Sequence, residues 1–170
     1  GEENLTYLII GIIVLVGLWV IATYNFFVSS KARIKASVQE IGNQLKRQTD
    51  LIPNLESSVK GYLAHEKGIF ESLTEARKLV TKASESGDLK KMADAGKAFS
   101  EVLPKIQILV ESKQEIKGSE VVKNLMADLR DTSDKVMYAR RLLIDLTADY
   151  NVKRVTFPSN LVANAFGFEH

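Results

Sequence analysis

From Leu5 to Val28 the chain runs for 24 residues without a charge, and 15 of these are Leu, Ile, Val or Phe. As an α-helix this run is roughly 36 Å long, enough to cross a hydrocarbon core of about 30 Å with a modest tilt. Each of the 15 favours insertion by about 0.3–0.6 kcal/mol, which together outweighs Thr6, Thr23 and Asn25 near the ends. The run is longer than the core of a cleaved secretory signal. Glu2 and Glu3 stand before it where a signal carries basic residues, and no small-x-small site follows. It therefore reads as a retained transmembrane helix over 5–28. Trp19 and Tyr24 toward one end and Tyr7 at the other resemble an interfacial aromatic belt, with Trp19 set deep for that role. Gly11 and Gly17 are six apart and lack the four-residue spacing that brings two spans close.

The flanking charges orient the span. Lys31, Arg33 and Lys35 follow it directly, with Lys46 and Arg47 beyond. The excess of basic residues on this side places the amino terminus outside a cell membrane, as a short tail over 1–4, and the remainder in the cytoplasm as a single-pass protein. The same three residues gain about 1 kcal/mol each near anionic lipid, so topology and lipid contact are one reading.

The remaining 140 residues carry all 23 Lys and Arg against 19 acids, about +4. That suffices for solubility and is no nucleic-acid footprint. The chain has no Cys, which excludes disulfides, thiolate metal sites and Cys nucleophiles. Ala, Glu, Lys, Leu, Arg, Ser and Val dominate, and helix is favoured throughout.

Apolar spacing supports an all-α fold, with the span continuing into a long antiparallel helical bundle. The series Ile34, Val38, Ile41, Leu45, Gln48, Ile52, Leu55, Val59, Tyr62, Glu66, Ile69, Leu73, Ala76, Val80 alternates steps of four and three with only Gln48 and Glu66 polar. It keeps phase across Pro53, so one helix bent at Pro53 is expected to reach about Ser84, making three long helices. A turn at Pro53, making four, is the alternative. Gly87 ends this helix, and Asp88 is the N-cap of the next, which carries Leu89, Met92, Gly96, Phe99, Leu103, Ile106 and Val110 and ends near Ser112. Lys113–Gly118 reads as a loop. Ser119 caps a third helix with Val122, Leu125, Leu129, Thr132, Val136, Ala139, Leu143, Leu146 and Tyr150 on its stripe, ending at Asn151–Lys153. A short apolar piece with Leu161, Val162, Ala165, Phe166 and Phe168 closes the bundle domain over 29–168, and 169–170 form a tail. The seven-residue spacing implies left-handed coiled-coil packing.

If the first helix reaches Ser84, the second covers only its distal half. Val38, Ile41, Leu45 and Ile52 then lack a partner in their own chain and form a stripe for self-association or for another membrane protein.

Several strings in this chain resemble the LemA family. They are Gln44 to Leu55 (QLKRQTDLIPNL, including Lys46, Arg47, Asp50, Pro53 and Asn54), Val59-Lys60-Gly61-Tyr62, His65-Glu66, Ala76-Arg77, Ala139-Arg140, Tyr150-Asn151, Phe157-Pro158 and Phe166-Gly167-Phe168, with Tyr24-Asn25 by the span. Order and spacing agree along 24–168. The resemblance implies a single-span membrane protein with a helical-bundle domain, a largely undefined role and no accepted active site. Lys31 to Ser37, Lys113 to Lys117 and Leu142-Leu143 depart from the family pattern, as in a divergent member.

Chemistry-bearing constellations are sparse. His65-Glu66 has no second ligand at helical spacing, and His170 is terminal. Lys46, Arg47 and Asp50 could hold an anionic group, yet Lys46 and Asp50 are spaced as an ordinary i,i+4 pair. Tyr62 falls at a core position. The acid pairs Glu71-Glu75 and Asp131-Asp134 face no visible basic or nucleophilic partner. There is no glycine-rich phosphate loop and no strained-Ser triad order. We expect no catalytic residue, metal, cofactor or small-molecule substrate, and membrane lipid and further copies of the chain as partners. The sequence thus points to a membrane-anchored helical scaffold that self-associates or organises partners. The alternative is a subunit of a filament or tube with the apolar N-terminal helices as a shared core.

Overall fold

The computed structural model describes residues 1–63 and 66–169, and among them every regular element is helical. α1 runs Glu2–Val59, α2 Lys67–Ser86, α3 Leu89–Ser112, α4 Gln114–Lys117, α5 Glu120–Val155 and α6 Ser159–Ala165. The chain divides into two compact units, one of residues 1–36 and 143–170, the other of residues 37–142, so α1 and α5 each contribute to both.

The second unit is an up-down-up-down four-helix bundle. Glu56 on α1 accepts from Thr74 Oγ1 at 2.7 Å and pairs with Arg77, which sets α2 against the end of α1. Gly42 and Leu45 lie beside Met92 and Gly96 of α3. On α5, Thr132 meets Gln48, and Arg130 donates to Gln107 at 3.0 Å. Ile41, Leu45, Ile52, Leu55, Val59, Leu73, Val80, Phe99, Ile106, Leu129 and Val136 are all fully buried. Burying a side chain of this size is worth about 1.5–3 kcal/mol, and this shared core holds the four helices together.

Four helices result, but the first reversal comes neither at Pro53 nor as late as Ser84. α1 passes through Pro53 and ends at Val59; Tyr62 and Leu63 both donate to the Val59 carbonyl, and α2 opens on the Glu66 carbonyl. Proline removes one backbone hydrogen bond, a loss outweighed here by the complete burial of Ile52 and Leu55 on either side. Near Gly61 the helix is weaker by about 1 kcal/mol relative to Ala, and the stripe it would continue holds a phenol and then a carboxylate. Folding back there puts the 20 residues of α2 against the part of α1 that most needs cover. Tyr62, expected in the core, is 39% exposed, and the adjacent Leu63 is buried in its place.

Other boundaries follow local chemistry. Gly87 adopts φ 67° and its N–H donates to the Ala83 carbonyl, ending α2. The Asp88 carboxylate accepts from the Lys90 and Lys91 backbone N–H groups and starts α3. Ser119 Oγ accepts from the Val122 N–H at 3.3 Å ahead of α5. Lys113–Gly118, expected as loop, contains the single turn α4, and α5 runs to Val155, a little past the expected end.

The first unit pairs the amino-terminal part of α1 with the end of α5, α6 and residues 166–169. Its core is Phe27, Tyr150 and Ala163, with Phe26, Ile34 and Phe168 packed around them. Thr23 and Ser30 are buried on the same helix face. Among the described residues little covers the helix before Thr23: Leu5 is 57% exposed and Leu15 67%, and Val20 alone is half-buried. This apolar segment is long enough to cross a membrane, and none of its most hydropathic window is buried by protein.

Candidate functional site

In the first unit the most specific arrangement is an aromatic clasp at the end of the apolar run. The Phe27 ring stacks on Phe168 at 4.9 Å between centroids and meets Tyr150 edge-on at 5.4 Å. Tyr24 contacts Phe166 at 4.9 Å and Phe168 at 5.6 Å. Two ammonium groups flank it: Lys31 Nζ lies 5.3 Å from the Phe168 ring and Lys153 Nζ 4.9 Å from the Phe26 ring. Such pairs contribute about 0.5–1 kcal/mol each at exposed positions. The Tyr150 hydroxyl donates to the Glu169 carbonyl at 2.8 Å, and the Ser159 hydroxyl is engaged with the Lys153 and Thr156 carbonyls. The clasp therefore joins residues 23–34 of α1 to the C-terminal segment through aromatic faces, cations and main-chain acceptors.

In the second unit the polar features are structural pairings. Gln48 is fully buried; its Nε2 donates to Thr132 Oγ1 at 3.0 Å, and Thr132 in turn donates to the Leu129 carbonyl. On the surface Asp131 receives Lys135 Nζ at 3.1 Å and Arg47 Nη1 at 3.2 Å. Hydrogen bonds from Lys135 first and Arg47 second hold its carboxyl below the usual carboxylate range. Glu40, Asp134, Lys135 and Tyr138 line an open, shallow depression, with Tyr138 70% exposed. Nothing there encloses a substrate or excludes water.

The structure redistributes the residues singled out from the sequence. Lys31 joins the clasp, whereas Arg33 and Lys35 are exposed. Of the apolar run, Leu5 and Trp19 are uncovered by protein, at 57% and 37% exposure, and Val28 is 44% exposed next to buried Phe27. In the family string, Lys46, Asp50 and Asn54 are exposed and Pro53 is half-buried. Arg47 pairs with Asp131 on α5 and so binds two helices together; it does not head an anion site with Lys46. The stripe expected to lie bare is corrected outright: Ile41, Leu45 and Ile52 are fully buried inside their own bundle, and Val38 is half-buried. The cause is the early reversal after Val59, which lets α2, α3 and α5 all reach these positions. His65 and His170 lie outside the described residues. Among the described residues no three His, Cys, Asp or Glu side chains come together as metal ligands.

Sequence reading did not find the clasp. Its members are about 120 residues or more apart, and the available signal was the pair of aromatic clusters at Tyr24–Phe27 and Phe166–Phe168, each next to an apolar run.

The magnetosome protein MamQ of Magnetospirillum gryphiswaldense is 24% identical over 169 aligned residues, covering 86% of this chain and 62% of the relative. The chain thus spans less than two thirds of that relative's length. The model of the LemA family matches residues 37–170, which takes in the whole bundle and the C-terminal half of the clasp. On that match the chain belongs to the LemA family.

Proposed function

We propose that this protein is a membrane-anchored, non-catalytic helical scaffold that organises partners, including further copies of itself, at a membrane surface. The observation that carries the reading is the contrast between the two ends of α1. The amino-terminal end presents a long apolar surface with no protein cover, and the other end lies in a bundle that completes its own core. An anchor with a self-sufficient bundle can display surfaces without relying on association to fold. Two polar pairings support this, since each joins α1 to α5: Gln48 Nε2 donates to Thr132 Oγ1, and Arg47 pairs with Asp131. MamQ, the relative in the magnetosome, is named for a structure and not for a reaction.

In this reading α1 crosses the cell membrane once, with the amino terminus outside and Lys31, Arg33 and Lys35 at the cytoplasmic headgroups. Self-association does not run through Val38, Ile41, Leu45 and Ile52, which are occupied, so it uses the span or the outer bundle faces. Electron microscopy and sizing of the detergent-extracted full-length protein test the proposal. Discrete particles containing several chains support it. A strictly solitary chain that recruits nothing from its native membrane refutes it, and extended ordered assemblies favour a filament or tube with the apolar helices as a shared core.

A further inference from the structure

The C-terminal segment exposes an unusual concentration of large apolar side chains. Val155 is 64% exposed, Phe157 75%, Leu161 55% and Phe166 54%, all within the unit that contains the apolar run. Their own unit covers little of them: Phe166 touches the Tyr24 ring and is otherwise open, and α6 buries Ser159, Val162 and Ala163 on its inner face and leaves Leu161 outward.

Their position along α1 follows from the clasp. Tyr150 packs on Phe27, and three residues later Lys153 lies over Phe26, so α5 descends antiparallel to α1 toward the apolar run. α5 continues past Tyr150 to Val155, about 7–8 Å further at 1.5 Å per residue. That carries Val155 to the level where α1 loses its protein cover, next to Thr23 and Tyr24. The chain turns there through residues 156–158, which include Phe157, into α6, and Phe166 is held at the same level by its contact with the Tyr24 ring. The exposed aromatics are therefore continuous with the surface of the span.

We propose that residues 152–168 form a second membrane-contacting element, with Val155, Phe157, Leu161 and Phe166 seated in the boundary between headgroups and acyl chains of the leaflet that α1 leaves. Its occupant is an anionic phospholipid surface. Between Tyr150 and Phe168 the only charged residues are Lys153 and Arg154, and Lys31 joins them across the clasp. Aromatic and aliphatic side chains beside cations are the composition that favours this boundary. The inference rests on the reading of α1 as a membrane span, and it turns the C-terminal segment from a cap on the bundle into part of the anchor.

The test uses the full-length protein in vesicles of phosphatidylcholine and phosphatidylglycerol, with or without bromine on the upper acyl chains. Trp19 is the sole tryptophan, so the unaltered protein reports on the span alone. In a Trp19→Phe background, a single tryptophan is introduced by Phe157→Trp, by Leu161→Trp, or by Ile108→Trp as a water-exposed reference. The first two are expected to lose emission in brominated vesicles, and the reference is not. Loss of emission from Trp19 but not from Phe157→Trp or Leu161→Trp, which keep water-like spectra, overturns the inference and leaves the span intact. Absence of quenching at Trp19 overturns both. Blue-shifted emission at positions 157 and 161 that resists bromine and strengthens with protein density means a second copy covers the surface, which also overturns the lipid assignment.

Discussion

Gly96 offers the sharpest test of the packing. Glycine inside a helix costs about 1 kcal/mol relative to alanine, so on helix propensity alone Gly96→Ala stabilises α3. The structure predicts the reverse. A Cβ at this position would stand 2.5 Å from Val136 Cγ1, with Val136 Cβ at 3.7 Å and Leu45 Cδ2 at 3.8 Å. Carbon contacts settle at about 3.5–4.0 Å, so about 1 Å must be found in a fully buried neighbourhood. Val136 is β-branched and on a helix has essentially one comfortable χ1, so it does not swing aside cheaply. Overpacking of this kind costs about 1–3 kcal/mol, and after the helix gain of about 1 kcal/mol the net loss is up to about 2 kcal/mol. In a chain of this size that lowers Tm by up to roughly 8 °C, readable by far-UV circular dichroism of the full-length protein in detergent. The decisive comparison is the same change in a Val136→Ala background. With the obstructing methyl gone, Gly96→Ala is expected to raise Tm, giving a coupling of about 1–3 kcal/mol between the two sites. If Gly96→Ala raises Tm equally in both backgrounds, the close approach of α3 and α5 is wrong.

Phe27→Ala empties the centre of the clasp and is expected to cost its unit about 3–5 kcal/mol. Limited proteolysis of the full chain should then cut faster between Val155 and Phe168 while bundle fragments keep their normal rate; Phe26→Ala, at a partly buried position, should have the smaller effect. Asp131 gives a pH signature. Its carboxyl is held low by Lys135 and Arg47, so its stabilising contribution is fully present above the unfolded carboxylate value of about 3.9 and is lost as pH falls through the lowered folded value. Asp131→Asn should flatten the acid side of the stability profile, and because the group is exposed, salt should flatten it in the native protein too.

How far the sequence carried depends on the range of the forces involved. Asp88, Gly87 and the limits of α3 were legible because a cap acts over three residues and its chemistry is written there. The reversal after Val59 was not, because the apolar count stays in phase across it: Val59 and Leu73, both buried, are 14 residues or two heptads apart, although burial has moved from Tyr62 to Leu63. The bare stripe was an error inherited from that miscount. Pro53 is the one proline in this stretch, yet one missing hydrogen bond does not outweigh the burial of Ile52 and Leu55. At the clasp, the sequence marked Lys31 for topology and Phe166-Gly167-Phe168 as a family string, but nothing local reports that a cation and a ring far apart in sequence meet.

Because Phe27 is covered by residues that follow it by more than a hundred positions, the two halves of the clasp are made at different times. During synthesis Phe27 is made long before Tyr150 and Phe168, so its ring stays uncovered by them until residues 28–149 have been added, and the clasp is among the later contacts this helix can make.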